Sequence, residues 1–126
     1  MRELVWVGSS LDDYKEFPET IQDDMGYALY LAQEGEKPPQ AKPLKGFGGA
    51  GVLEVVADDA GGTYRAVYTV RLKTAVYVLH VFQKKSRRGI ATPEEHIERV
   101  RVRLRLAEQI DTARTRTVQE EGKVDG

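Results

Sequence analysis

The 126-residue sequence contains no cysteine, which excludes disulfide frameworks, thiolate zinc sites and cysteine nucleophiles together. Histidine is almost as scarce. His80 and His96 are the only two, too few for a histidine-rich metal site. No apolar run approaches the roughly 20 residues that a membrane-spanning helix needs. The opening MRELVWVGSS carries an acid and leads into LDDYKE, unlike a secretory leader, so the cytoplasm is the expected address. The glycine-rich stretch at 46–51 lacks the lysine–serine/threonine pair of a phosphate loop and precedes a strand pattern rather than a helix. No serine, histidine and acid stand in a recognisable hydrolase context. What remains is an enzyme that works without metal or cofactor, or a binding module.

Hydrophobic residues make up 40% of the chain and charged residues 31%, a balance that gives one globular domain with a real core. The net charge of −1 hides an asymmetry: residues 1–40 carry 3 bases and 9 acids, whereas residues 41–110 carry 13 bases and 7 acids. Such a split is a feature of chains that contact nucleic acid, although one half can equally neutralise the other across the fold.

Short-range periodicity sets the expected elements. Residues 3–7 (ELVWV) are bulky and β-prone and predict a strand. Ser9 or Ser10 offers an N-cap to a short helix carrying Asp12 and Asp13 in its first turn. From Pro18 to Glu34, Ile21, Met25, Ala28, Leu29 and Ala32 make one apolar stripe, the mark of an amphipathic helix. Pro38, Pro39 and Pro43 keep the next stretch open. Three strands follow, at 52–57, 63–72 and 75–82, with Asp58–Gly62 and the Lys73–Thr74 pair as turns. In the middle one, Tyr64, Ala66, Tyr68 and Val70 share a face, which turns Arg65, Val67, Thr69 and Arg71 to the other. The last strand is apolar on both faces and so belongs inside the sheet. Thr92-Pro93-Glu94-Glu95 reads as a capped helix start with an N-cap threonine. Ile97, Val100, Leu104 and Ala107 form that helix's apolar face, decorated by Arg99, Arg101, Arg103 and Arg105. The order β-α-α-β-β-β-α is an α+β domain over residues 1–110: a helical hairpin and a C-terminal helix on one side of a mostly antiparallel four-stranded sheet. Residues 111–126 lose the apolar rhythm and form a polar tail, expected to fray.

The positive chemical signal is basic. Between Arg71 and Arg105 there are 10 bases and 3 acids, concentrated in Lys84-Lys85-Ser86-Arg87-Arg88 at the end of the last strand. Cations so crowded repel one another unless a polyanion is close, and phosphate is the usual partner. Tyr68, Tyr77 and Phe82 could stack on unpaired bases, or sit in the core beside a merely solvated basic turn.

The run TYRAVYTVRLKTAVYVLHVFQKKSRRGIATPEEHIERVRVRL resembles the HigB-like, phage-derived branch of the RelE/ParE superfamily of type II toxin–antitoxin toxins. The matching pieces are Tyr64-Arg65-Ala66-Val67-Tyr68, the stretch from Tyr77 to Lys85, and Thr92-Pro93 opening a helix in which acids give way to arginines. Pro43-Leu44-Lys45-Gly46 followed by Leu53-Glu54 is similar too, and the likeness extends roughly over 3–110. It implies a RelE/ParE-like fold and a ribosome-associated endoribonuclease (an mRNA interferase) that cuts messenger RNA without metal. The ribose 2′-hydroxyl would attack the adjacent phosphate, leaving a cyclic phosphate and a free 5′-hydroxyl.

On that resemblance Arg65 matches the strand arginine expected to stabilise the phosphorane, with a cross-strand ion pair to Glu54 as its plainer role. Lys84 and Lys85 match the strand-end basic position and face opposite ways. His80 is a possible acid or base, since its free pKa lies near neutrality, or else a satisfied histidine in an apolar strand. Lys45 would hold the RNA backbone or act in proton transfer, or else is an ordinary loop lysine; Tyr68, Phe82, Arg87 and Arg88 are the other expected RNA contacts. The implied partners are messenger RNA and the ribosome, and a helix-turn-helix, HigA-like antitoxin through which the toxin oligomerises; no membrane is implied. Two departures keep other readings open: strand 53–57 has no lysine and no tyrosine follows Tyr77. A ParE-like inhibitor of DNA gyrase without nuclease chemistry, or a non-catalytic RNA-binding module, would share much of this sequence.

Overall fold

A computed structural model describes residues 1–84 and 92–124, and its elements follow the expected order with one addition. They are β1 (Glu3–Trp6), α1 (Ser10–Lys15), α2 (Glu19–Gln33), β2 (Ala41–Pro43), β3 (Val52–Asp59), β4 (Gly62–Thr69), β5 (Ala75–Lys84) and α3 (Glu94–Val124). The sheet has five strands in the order β1-β5-β4-β3-β2, not the four expected. The extra strand is β2, in the proline-rich stretch taken as open. Pro43 can occupy it because β2 is an edge strand, where a missing N–H costs no ladder bond.

Pairing is mixed. β2, β3, β4 and β5 run antiparallel in turn, while β1 lies parallel to β5 with Glu3 beside Ala75 and Trp6 beside Val78. The β3–β4 turn is tight: Asp59 Oδ1 accepts from the amides of Gly61 at 2.8 Å and Gly62 at 3.0 Å. The β4–β5 connection is longer than the two residues expected, because β4 ends at Thr69. Arg2 pins that connection by donating to the carbonyls of Val70, Leu72 and Ala75 at 2.7–2.9 Å.

Helices cover both faces of the sheet, correcting the one-sided arrangement. Ile21, Met25, Ala28, Leu29 and Ala32 of α2 pack on Val55, Tyr68, Val76 and Val78. Ile97, Val100 and Ala107 of α3 pack on Val67, Tyr77, Leu79 and Phe82 from the other side. The cause lies in the strands: Ala75 to Phe82 are all buried, and a strand apolar on both faces must be sheltered twice.

A β-bulge decides which residues face α3. The register runs Val67 opposite His80, then Tyr68 opposite Val78, so Leu79 is the extra residue. Strict alternation would set His80 and Phe82 on the side of Val76 and Val78. The bulge reverses parity beyond Leu79, so Val81 joins the α2 core while His80 and Phe82 turn to α3.

α3 also differs at both ends. At its start the carbonyl of Pro93 accepts from the amides of His96 at 3.0 Å and Ile97 at 3.2 Å, so Pro93 rather than Thr92 holds the cap position. At its end the helix crosses residue 110 unbroken and reaches Val124 in place of a frayed tail. Asp111 accounts for the first part of that extension. Its carboxylate accepts from the amides of Lys73 at 2.9 Å and Thr74 at 2.7 Å, and from the hydroxyls of Thr74 and Tyr77. Burial alone would raise its pKa, but these donors hold it below the usual carboxylate value. Asp111→Ala is expected to cost about 2–3 kcal/mol, read as a lower urea midpoint, with faster amide exchange at Lys73 and Thr74. Among the described residues no helix is long and apolar enough to cross a membrane.

Candidate functional site

On the α3 side, β3, the loop after β2 and the first turns of α3 enclose a cleft of about 550 Å³, the size of a small-ligand site. Lys42, Lys45 and Arg101 are exposed on its wall, with Leu44, Ile97 and Glu94 between them and Glu54 and Thr92 below. Arg101 is held in place by Glu98 at 3.1 Å and lies 5.7 Å over the Phe47 ring.

The floor is an ion pair with a hydroxyl attached. Glu54 Oε1 accepts from Arg65 at 2.8 Å and Oε2 from the Thr92 hydroxyl at 2.7 Å, while the Thr92 oxygen accepts from Arg65 at 3.3 Å. Glu54 is 2% exposed and Arg65 4%. Register explains the geometry: Glu54 stands opposite Val67 and Arg65 opposite Val56, so the two meet diagonally on one face. The Thr92 side chain is spent on this pair instead of on the helix it precedes.

Beside the floor, on β5, His80 begins a second buried chain. Arg103 donates to its Nδ1 at 3.3 Å, and its Nε2 lies 2.8 Å from His96 Nδ1. A guanidinium can only donate, so Nδ1 of His80 accepts, its proton sits on Nε2, and His96 accepts in turn through Nδ1. The remaining proton of neutral His96 is then on Nε2. A second proton on either ring would have to displace a donor already there. Burial is the main cause that lowers the pKa of His80 to about 3, with the charges of His96, Arg103 and Arg99 adding to it and Asp13 opposing. His96 is lowered as well, chiefly by burial. The Phe82 ring stacks on His96 at 3.8 Å between centroids.

Arg103 ties this chain to α1. It donates to the Leu79 carbonyl at 3.1 Å and to Ser9 Oγ at 2.8 Å, and Ser9 donates to Asp13 at 2.9 Å. Its path crosses Gly8, whose φ of +60° favours glycine and where a Cβ would come within 2.9 Å of Arg103 Nε.

The expected residues therefore divide. Arg65 and Lys45 share the cleft, one under its floor and one on its wall. Lys84 stands opposite Thr63, on the face of Arg65 and Phe82. His80 is 3% exposed with both ring nitrogens engaged, so the near-neutral pKa behind an acid–base role is not kept. Tyr68 is fully buried in the α2-side core, which corrects its reading as a stacking surface. Phe82 is also buried, stacked on histidine rather than open to a base. Lys85, Arg87 and Arg88 lie outside the described residues.

Sequence reasoning passed over Lys42, Arg101, Thr92, His96 and Arg103 as parts of a site. Arg103 was within reach: it falls three residues after Val100 and four before Ala107, on the packed stripe. Among the described residues no three His, Asp or Glu side chains converge as a metal site would require.

Comparison with known proteins agrees in one respect. The family model described as phage derived protein Gp49-like matches residues 12–105. No curated protein matches the chain.

Proposed function

The chain belongs to the phage-derived Gp49-like family, a family of toxin–antitoxin toxins of the RelE/HigB type, and from that premise we propose that it is the toxin of such a pair and cleaves RNA. The observation that carries the reading is the Glu54–Arg65 pair under a cleft walled by three cations.

Lys42, Lys45 and Arg101 bring three cations to one cleft, where they would neutralise phosphates of a bound strand. A phosphate drawn to the floor competes with Glu54 for Arg65. The guanidinium then stabilises charge developing on the phosphorane, a contribution usually worth several kcal/mol at such sites. Glu54, released from Arg65 at the floor of the cleft, would then act as the base that takes the 2′-hydroxyl proton. The 2′-oxygen bonds to phosphorus, the bond from phosphorus to the 5′-oxygen breaks, and the departing 5′-oxygen takes a proton from solvent, leaving a 2′,3′-cyclic phosphate and a 5′-hydroxyl. An antitoxin encoded with the toxin would keep this activity in check.

Inducing the chain alone in a bacterial host and mapping RNA 5′-ends tests the reading. New 5′-hydroxyl ends inside translated reading frames are expected, falling on the order of 100-fold with Glu54→Gln and less with Lys45→Ala. Growth arrest with replication stopping first, and no new ends, would replace the nuclease by a gyrase-inhibiting toxin. That second reading draws on the burial of Arg65 in its ion pair.

A further inference from the structure

The side of the sheet away from the cleft carries a feature that RNA cleavage does not use. Along the outer face of α2, Asp23, Tyr27, Tyr30 and Glu34 recur at steps of four, three and four, which places them in one line. All four are exposed, Tyr27 at 62% and Tyr30 at 45%. The two rings lie 6.3 Å apart with 30° between their planes. A single exposed aromatic is ordinary, but this pair sits in a strongly biased field. Residues 19–34 hold four acids (Glu19, Asp23, Asp24 and Glu34) and no base. Among the described residues none of these four carboxylates has a cation within 4 Å.

We propose that this outer face of α2 is a docking surface for an arginine-bearing helical segment of a second protein. Charge complementarity sets the sign of the occupant. The tyrosine pair selects arginine over lysine, because a guanidinium stacks flat on a ring face while its edge N–H groups remain free for carboxylates. The line from Asp23 to Glu34 matches about three turns of partner helix. On the toxin reading the second protein is the antitoxin, which would then hold the toxin from the face opposite the cleft. The surface itself does not depend on nuclease activity, and the test is read without it.

The probe is an alanine-based helical peptide of about 15 residues with arginines at the same four-three-four spacing, titrated into the isotope-labelled full chain while amide shifts are followed. Shifts confined to α2 are expected, weakened at least tenfold by Tyr27→Ala with Tyr30→Ala and severalfold by lysine in place of arginine. Both tyrosines are exposed, so circular dichroism should show the double variant folded. Asp23→Asn with Glu34→Gln should weaken binding and flatten its salt dependence. Shifts on the α3 side alone, no binding, or equal binding by the tyrosine variant would overturn the proposal. Self-association of the chain that the tyrosine variant abolishes would also overturn it, in favour of a second copy as the occupant.

Discussion

Glu54→Ala is expected to cost about 3–5 kcal/mol of folding stability, the usual range when one partner of a buried ion pair is removed. Arg65 would be left under the cleft floor without its counter-charge, since the two groups are 2% and 4% exposed. The Thr92 hydroxyl would lose its acceptor in the same step. Replacing both charges by apolar residues of similar size, Glu54→Leu with Arg65→Met, should recover most of that loss, because the cost lies in the stranded charge rather than in the pair itself. Chemical denaturation of the two variants beside the wild type measures this directly. A loss below 1 kcal/mol for Glu54→Ala would mean that water reaches the pair freely, and the floor of the cleft would have to be redrawn. A double variant no more stable than the single one would refute the argument from charge.

Stability should also fall as the solution becomes acidic, beginning well above the carboxylate range. Folding lowers the pKa of His80 from 6.5 to about 3. Below pH 6.5 the unfolded chain therefore binds a proton that the folded chain refuses. The contribution of His80 is fully present above about pH 6.5 and is lost progressively as the pH falls towards about 3. One such proton corresponds to up to about 1.4 kcal/mol per pH unit. His96 is lowered in the same direction and steepens the slope. Asp111 acts separately: its pKa is lowered from 3.8, so its stabilisation is lost only as the pH falls below the carboxylate range. Denaturant unfolding between pH 7 and 5 should show the slope in the wild type and a shallower one in His80→Gln. An unchanged slope in that variant would move the effect off His80. Nitrogen shifts of the imidazoles give an independent reading, with His80 protonated at Nε2 alone at pH 6.

The chemistry of the site was only partly legible. Arg65 was singled out because the resemblance puts the family's strand arginine there, and its pairing with Glu54 was open to view because the two stand on neighbouring strands. Lys45 was found as a loop cation, and the cleft does place it on a wall. His80 drew attention as a titratable group near neutrality, but burial among like charges removes that property. The likeness carried by the 63–104 run pointed to phage-derived toxins of the RelE/HigB type, and the matching family model, over residues 12–105, agrees at that level and not at the level of the HigB branch. It did not predict Arg101 and Lys42 beside Lys45, since these come from α3 and β2, far apart in the chain.

What the sequence determined by itself was local. The stripe of α2, the apolar face of α3, the tight β3–β4 turn and the interior place of β5 all follow from spacings of a few residues. Those choices depend on backbone geometry and on which side of one element is apolar, and neighbours in the chain are enough to specify them. The tertiary structure decided the rest. Only pairing with β4 creates the bulge at Leu79, and a one-residue slip reverses every side chain beyond it, so His80 meets His96 and Arg103 instead of the α2 core. Only the β4–β5 connection supplies the donors that fasten Asp111, so a polar stretch without apolar rhythm continues as helix. The parallel β1, the second covered face and the cation-walled cleft likewise depend on contacts between distant segments. Their stability comes from joint burial and shared hydrogen bonds, which no single stretch of sequence expresses.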